Sequence, residues 1–123
     1  MTKKILVVDD EPQIGEMIGA LLSEAGYAVM ISSHFSDAIE KAKAVIPDLV
    51  LSDVVMPDSS GFEICRKVKE ILKPHPPQVI LMTSKLTAFD PVLAREMGAD
   101  DFVVKTSNMA MVLRAVKQTL SDS

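Results

Sequence analysis

The sequence predicts an α/β domain: a parallel sheet with helices on both faces. Three observations carry that expectation. Short runs that are apolar throughout alternate with stretches whose apolar residues recur at helical spacing, and the alternation repeats five times. The strand runs are continuously apolar, which a sheet buried on both faces requires. At 123 residues the chain has room for one compact domain, without an internal repeat, low-complexity segment or linker to divide it.

The elements follow in order. "KILVV" (4 to 8) is the first strand, followed by Ile14, Met17, Ile18, Leu21 and Leu22 on one predicted helix face, with Gly26 as the stop. "AVMIS" (28 to 32) is the second strand. Ser36 is the expected cap of a helix carrying Ala38, Ile39, Ala42, Val45 and Ile46, which Pro47 ends. "DLVLSD" (48 to 53) is the third strand. Gly61 opens a helix with Phe62, Cys65, Val68 and Leu72 on one side, and the three prolines of "KPHPPQ" forbid its continuation. "QVILMTS" (78 to 84) is the fourth strand. Asp90 and Pro91 read as cap and first helical position of a short helix ending at Gly98. "DFVVK" (101 to 105) is the fifth strand, and Asn108 is the expected cap of a last helix carrying Met109, Val112, Leu113, Val116 and Leu120.

Composition excludes several classes of function. Apolar residues at 48% and charged residues at 24% fit a globular domain with a core, and no apolar run approaches membrane-spanning length. The start "MTKKILVVDD" is too short in apolar residues for a signal peptide, so a cytoplasmic location is expected. A net charge of -4 without a basic cluster argues against direct nucleic acid binding. The densest basic segment, "CRKVKEILK", interleaves its charges with helix-spaced apolar residues and reads as a solvated helix face. Cys65 is expected in the core, and His34 and His75 at the surface.

The chemistry is expected where the strands end, because open parallel sheets bind ligands beyond their carboxyl edge. Asp9, Asp10 and Glu11 end the first strand, Asp53 the third, Thr83 and Ser84 the fourth, and Lys105 the fifth. Asp53 closes a buried apolar run, where an ionised carboxylate is costly without a partner. Carboxylates gathered at one edge repel one another unless they hold a cation, and oxygen ligands without nearby His or Cys suit Mg²⁺. With an ammonium and a hydroxyl alongside, these are the parts of phosphoryl transfer. Taken singly, each residue has a plainer reading: Asp9 and Asp10 as a solvated turn or helix cap, Asp53 as a turn residue, Lys105 as a solvated terminus, Thr83 as a strand former. Their joint placement is what favours chemistry.

Four motifs in order, "VVDDE", "SDVVMPDSSG", the Thr83 ending a strand and "GADDFVVK", make the chain resemble the receiver domain of bacterial response regulators over essentially its whole length. The resemblance implies a flavodoxin-like fold with strand order 2-1-3-4-5. It also implies that Asp53 takes a phosphoryl group from a sensor histidine kinase or phosphotransfer protein. Asp9 and Asp10 would hold Mg²⁺ together with Asp53 and the carbonyl of Val55, Asp10 being the more direct ligand of the acid pair. Lys105 would bind a phosphoryl oxygen, and Thr83 and Phe102 would be the switch pair. The face of helix four, strand five and helix five, roughly residues 86 to 120, would contact a downstream target or output domain, or form a homodimer. Such a chain is no enzyme in the ordinary sense, promoting only its own phosphorylation and dephosphorylation. The Met1 start and the end soon after the last helix lean toward a freestanding regulator over a receiver joined to an output domain.

The chain departs from the family pattern at Thr106, where proline usually follows the lysine. A cis bond before Thr costs about 2.5 to 4 kcal/mol, so a trans bond and an altered seat for Lys105 are expected. Ser84 stands where the family usually has alanine, while Val55 and Lys85 occupy positions that in the family tune phosphate lifetime. Two alternatives stand beside this reading. A small Mg²⁺-dependent phosphohydrolase would need a general acid or base near Asp53 and a substrate cap, for which the short loops leave no room. A degenerate receiver that binds partners without phosphorylation is opposed by the intact Asp9, Asp10, Asp53, Thr83 and Lys105.

Overall fold

The computed structural model describes residues 2–57, 59–83, 91–105 and 109–121. Strands β1 (Lys4–Val8), β2 (Ala28–Ser32), β3 (Leu49–Asp53), β4 (Gln78–Thr83) and β5 (Asp101–Val104) alternate with helices α1 (Pro12–Glu24), α2 (Phe35–Val45), α3 (Gly61–Ile71), α4 (Pro91–Glu96) and α5 (Ala110–Ser121). All strand pairs are parallel, in the order β2-β1-β3-β4-β5. The chain therefore leaves β1 toward one edge and, from β3 onward, builds toward the other. Strand order reverses between β1 and β3, which makes their carboxyl ends the natural crevice.

Because successive strand residues face opposite sides, each strand feeds two cores. Leu6, Val8, Val50 and Leu81 pack with Ala38, Ile39, Ile64, Cys65 and Val68 under α2 and α3. Ile5, Val7, Leu49, Leu51, Ile80 and Met82 pack with Ile18, Leu22, Val112 and Val116 under α1 and α5. The central strands β1 and β3 carry no exposed apolar side chain, in keeping with their uninterrupted apolar sequence. Each fully buried Leu or Ile contributes about 2 kcal/mol of transfer free energy.

Three details of the helices differ from the sequence expectation. α2 starts at Phe35 with His34 at the cap position, so Ser36 lies inside the first turn. The chain is turned there by Ser32, whose hydroxyl donates to the His34 carbonyl at 3.1 Å. α5 starts at Ala110, and the buried Met109 precedes it with a left-handed backbone (φ 58°). In α1 the buried face is Gly15, Ile18, Gly19 and Leu22, while Met17 is 41% exposed. The helix can press so close to β2 because it offers bare Cα atoms there: a Cβ on Gly19 would meet Ile31 Cδ1 at 2.7 Å. The proposed caps Asp90 and Asn108 lie outside the described residues.

Other expectations hold. Cys65 is fully buried, His34 and His75 are exposed, and Arg66 in the basic segment pairs on the surface with Glu63 and Glu70 of its own helix. Ser60 caps α3 by accepting the Glu63 amide at 3.3 Å. The turn between α4 and β5 is tied down at several points. Asp100 Oδ2 accepts both the Val79 amide (2.7 Å) and the Lys69 ammonium (2.8 Å), and the Cys65 thiol donates to the Met97 carbonyl (3.2 Å).

Candidate functional site

The carboxyl edge of the sheet gathers the residues that the sequence marks. Asp9 follows β1 directly and its amide donates to the Ser32 carbonyl at 3.0 Å, so it stays in the sheet's plane after β1 ends. Its side chain is fully buried, and Oδ1 accepts the Glu11 amide at 3.0 Å just ahead of α1. Asp10 is half-buried at the rim. Asp53, the last residue of β3, is 6% exposed. Carboxylate oxygens of Asp9, Asp10 and Asp53 all lie within 4.8 Å of one another.

Lys105 joins the cluster from the other side. It stands one residue past β5, held by its amide donating to the Thr83 carbonyl at 2.9 Å. Its ammonium donates to Asp9 Oδ2 at 3.0 Å and Asp53 Oδ2 at 3.2 Å. All three side chains are at most 8% exposed. The replacement of proline by Thr106, which itself lies outside the described residues, does not keep Lys105 from the site. Thr83 is buried at the end of β4, and Phe102, paired with Leu81, packs half-buried against the α2–α3 core.

The electrostatics follow from burial. Loss of water pushes the Asp53 carboxyl up to about 6; the Lys105 charge pulls it down, and the Asp9 charge adds to the rise. For Lys105, burial pulls the ammonium down, but the Asp9 hydrogen bond and the Asp53 charge prevail and leave it raised. Among the described residues one cation faces three carboxylates, and this group carries a net charge of -2 when fully ionised. The donor set fits a hard divalent cation: it is all oxygen, and one oxygen from each of the three carboxylates lies within 4.8 Å of the others. The side chain of Val55 is half exposed and its residue bridges to Ser60, which places its backbone beside the turn after Asp53.

Two residues in this arrangement have no role assigned to them by the sequence. Gly61, which closes the motif "SDVVMPDSSG" and opens α3, packs directly against the backbone carbonyl of Asp53 while its amide donates to the Val54 carbonyl at 2.9 Å. Ser52 is fully buried and its hydroxyl donates to the Asp53 carbonyl at 3.0 Å. A lone hydroxyl in the apolar run "LVLSD" was the available signal. Ser84 and Lys85 lie outside the described residues, as does part of the predicted readout face between 86 and 120.

Comparison with known proteins bears on the family and the fold. The family model for the response regulator receiver domain matches residues 5–117. The chain is 37% identical over its full length to the alkaline phosphatase synthesis transcriptional regulatory protein PhoP of Bacillus subtilis, of which it spans 50%. Among solved structures, chemotaxis protein CheY4 of Vibrio cholerae superposes with a TM-score of 0.88 at 27% identity, covering 96% of this chain and 98% of that one. Response regulator TrrA of Thermotoga maritima, solved in complex with Mg²⁺ and BeF, superposes with a TM-score of 0.84 at 32% identity, covering 95% and 98%.

Proposed function

Because the chain belongs to the response regulator receiver domain family, we propose that Asp53 is its phosphoacceptor and that Asp9, Asp10 and Asp53, with the Val55 carbonyl, are its Mg²⁺ ligands. A receiver domain of a two-component system is a signalling module, and this membership does not favour a phosphohydrolase. The observation that carries the reading is the convergence of the Asp9, Asp10 and Asp53 carboxylates with the Lys105 ammonium at one sheet edge.

In this reading an Asp53 carboxylate oxygen attacks the phosphorus of a phosphohistidine or small phosphodonor. A new O–P bond forms, the donor's P–N or P–O bond breaks, and the leaving group departs with its electron pair. Lys105, held in place by Asp9, transfers its hydrogen bond from the Asp53 carboxylate to a phosphoryl oxygen and offsets the added charge. Mg²⁺ held by Asp9, Asp10 and Asp53 would supply positive charge that offsets the phosphoryl group's negative charge. The Thr83 hydroxyl and the ring of Phe102 respond to the new acceptor oxygens, so that phosphorylation favours the state with the better contacts. The only reactions promoted are the chain's own phosphorylation and dephosphorylation.

The whole chain is read as one receiver domain, residues 1–123. Its donor is a sensor histidine kinase or phosphotransfer protein in the cytoplasm. Among the described residues no helix is long and apolar enough to cross a membrane. The likeness to a regulator twice its length points to an output domain or a separate target as recipient of the signal, reached through the α4–β5–α5 face. That face is also where two copies would pair. Intact-protein mass spectrometry after incubation with acetyl phosphate and Mg²⁺ tests the central assignment. The expected result is a gain of about 80 Da, the mass of one phosphoryl group, which requires Mg²⁺ and is lost in Asp53→Asn. A folded protein that gains nothing, or an Asp53→Asn variant that gains as much, refutes it.

A further inference from the structure

We propose that Ser52 is a positioning residue for Asp53, its hydroxyl fixing the peptide plane from which the carboxylate projects. The inference rests on the receiver reading above and adds a residue to it. Ser52 has no exposed surface, and its cross-strand partners Val8 and Leu81 are fully buried too. A hydroxyl in such surroundings is costly unless it is hydrogen-bonded. Here its Oγ donates to the carbonyl of the next residue, Asp53, at 3.0 Å.

That carbonyl sits where the sheet gives it less support. The β1–β3 pairing ends at Val8 with Ser52, so Asp53 lies one residue beyond that ladder and stays paired only with Met82 of β4. The Ser52 hydroxyl supplies a donor at this point, and Gly61 closes over the other side, leaving 3.0 Å between the position of a Cβ and the Asp53 carbonyl carbon. Hydrogen bond and bare Cα together fix the plane of the peptide group. The direction of the Asp53 side chain, whose Oδ2 lies 3.2 Å from Lys105, is set from that plane. Valine or alanine would fill the strand equally well, but neither would hold the carbonyl.

The test compares wild type, Ser52→Ala and Ser52→Thr as the full chain, in saturating Mg²⁺, over a range of acetyl phosphate concentrations, with phosphorylation followed by mass. The Asp53 carbonyl ¹³C resonance is read alongside. A misplacement of about 1 Å in a reacting group can cost about a hundredfold in rate, and a shift of half that size about tenfold. Ser52→Ala is expected to lower the maximal rate by about that factor at an unchanged half-saturating donor concentration, and to shift the carbonyl resonance upfield. Ser52→Thr, which keeps the hydroxyl, is expected to retain both the rate and the shift. If Ser52→Ala fails to fold, Ser52→Cys keeps the volume with a weaker donor and is expected to fall between the two. The proposal is overturned if the variant lacking the hydroxyl reacts at the wild-type rate, if Ala and Thr variants slow equally, or if the carbonyl resonance does not move. A folded wild type that takes up no phosphoryl group defeats the receiver reading, a result distinct from all of these.

Discussion

Gly61 lies so close to Asp53 that a Cβ there would overlap the Asp53 carbonyl oxygen, with Leu81 Cδ2 only 3.1 Å away on another side. The obstacle is backbone on a central strand and cannot swing aside. Gly61→Ala is therefore expected to destabilise the fold by about 1–3 kcal/mol through overpacking. Urea denaturation measures that loss. Because the strain falls on the Asp53 peptide, the variant's phosphorylation should also slow under conditions where it remains folded.

Lys105→Met removes the cation from between two buried carboxylates. Breaking a buried pair by deleting one partner costs about 3–5 kcal/mol, because the remaining charge is left uncompensated. In chelator the variant should melt well below the wild type, and millimolar Mg²⁺ should raise its melting temperature more than it raises the wild type's. Equal responses to Mg²⁺ would mean that Lys105 and the cation do not balance the same charge.

Asp53 makes stability depend on pH in a direction that can be worked out. Its folded value of about 6 lies above the ordinary 3.8, so the folded state holds the proton more tightly than the unfolded state does. The resulting stabilisation is complete below pH 3.8 and lost as pH rises through 6. In chelator, Asp53→Asn should match the wild type near pH 4. It should become more stable by about 1–3 kcal/mol above pH 6. Lys105 keeps Asp9 as a partner in that variant. Denaturant titrations at several pH values check the sign, and a wild type more stable than the variant at pH 7 contradicts it.

Cys65 should be unreactive in the native state. Burial pushes its thiol up to about 11, it is fully buried, and it donates to the Met97 carbonyl. Reaction with a disulfide reagent at pH 8 is expected to be slower than in the unfolded chain by about a hundredfold or more. Rapid labelling of folded protein would show that α3 opens locally.

Ser60→Ala removes the acceptor for the Glu63 amide at the start of α3. A lost cap of this kind costs about 1 kcal/mol, readable as a lower urea midpoint with an unchanged slope.

Much of this was legible in the sequence because buried parallel strands announce themselves as unbroken apolar runs. β1 was read to the residue, and Asp53 and Lys105 were placed at their strand ends from that pattern. The strand order came from family resemblance, since local periodicity carries no record of which strands are neighbours. What the pattern misjudged were contacts made across elements. Ser36 looked like a helix cap until Ser32, from the preceding strand, was seen to turn the chain at His34. Met17 fitted a buried stripe, but Gly15 and Gly19 face β2 in its place. Periodicity scores a glycine as a gap, whereas in close packing it is a contact surface. Gly61 and Ser52, both within the quoted motif, received no role in the site for the same reason: their contacts are with the Asp53 carbonyl, a backbone atom that no side-chain pattern reveals.

The ties among Lys69, Asp100, Cys65 and Met97 have a mechanical consequence. They hold the end of α4 near Gly98 in place, so any swing of that helix would turn about this end. At six residues α4 is about 9 Å long. A swing of about 20° would carry its far end, near the 63% exposed Val92, through about 3 Å while leaving Met97 almost still. Such a lever would turn a small torque into surface displacement at Val92 and would draw on the packing of Leu93 against the α3 core.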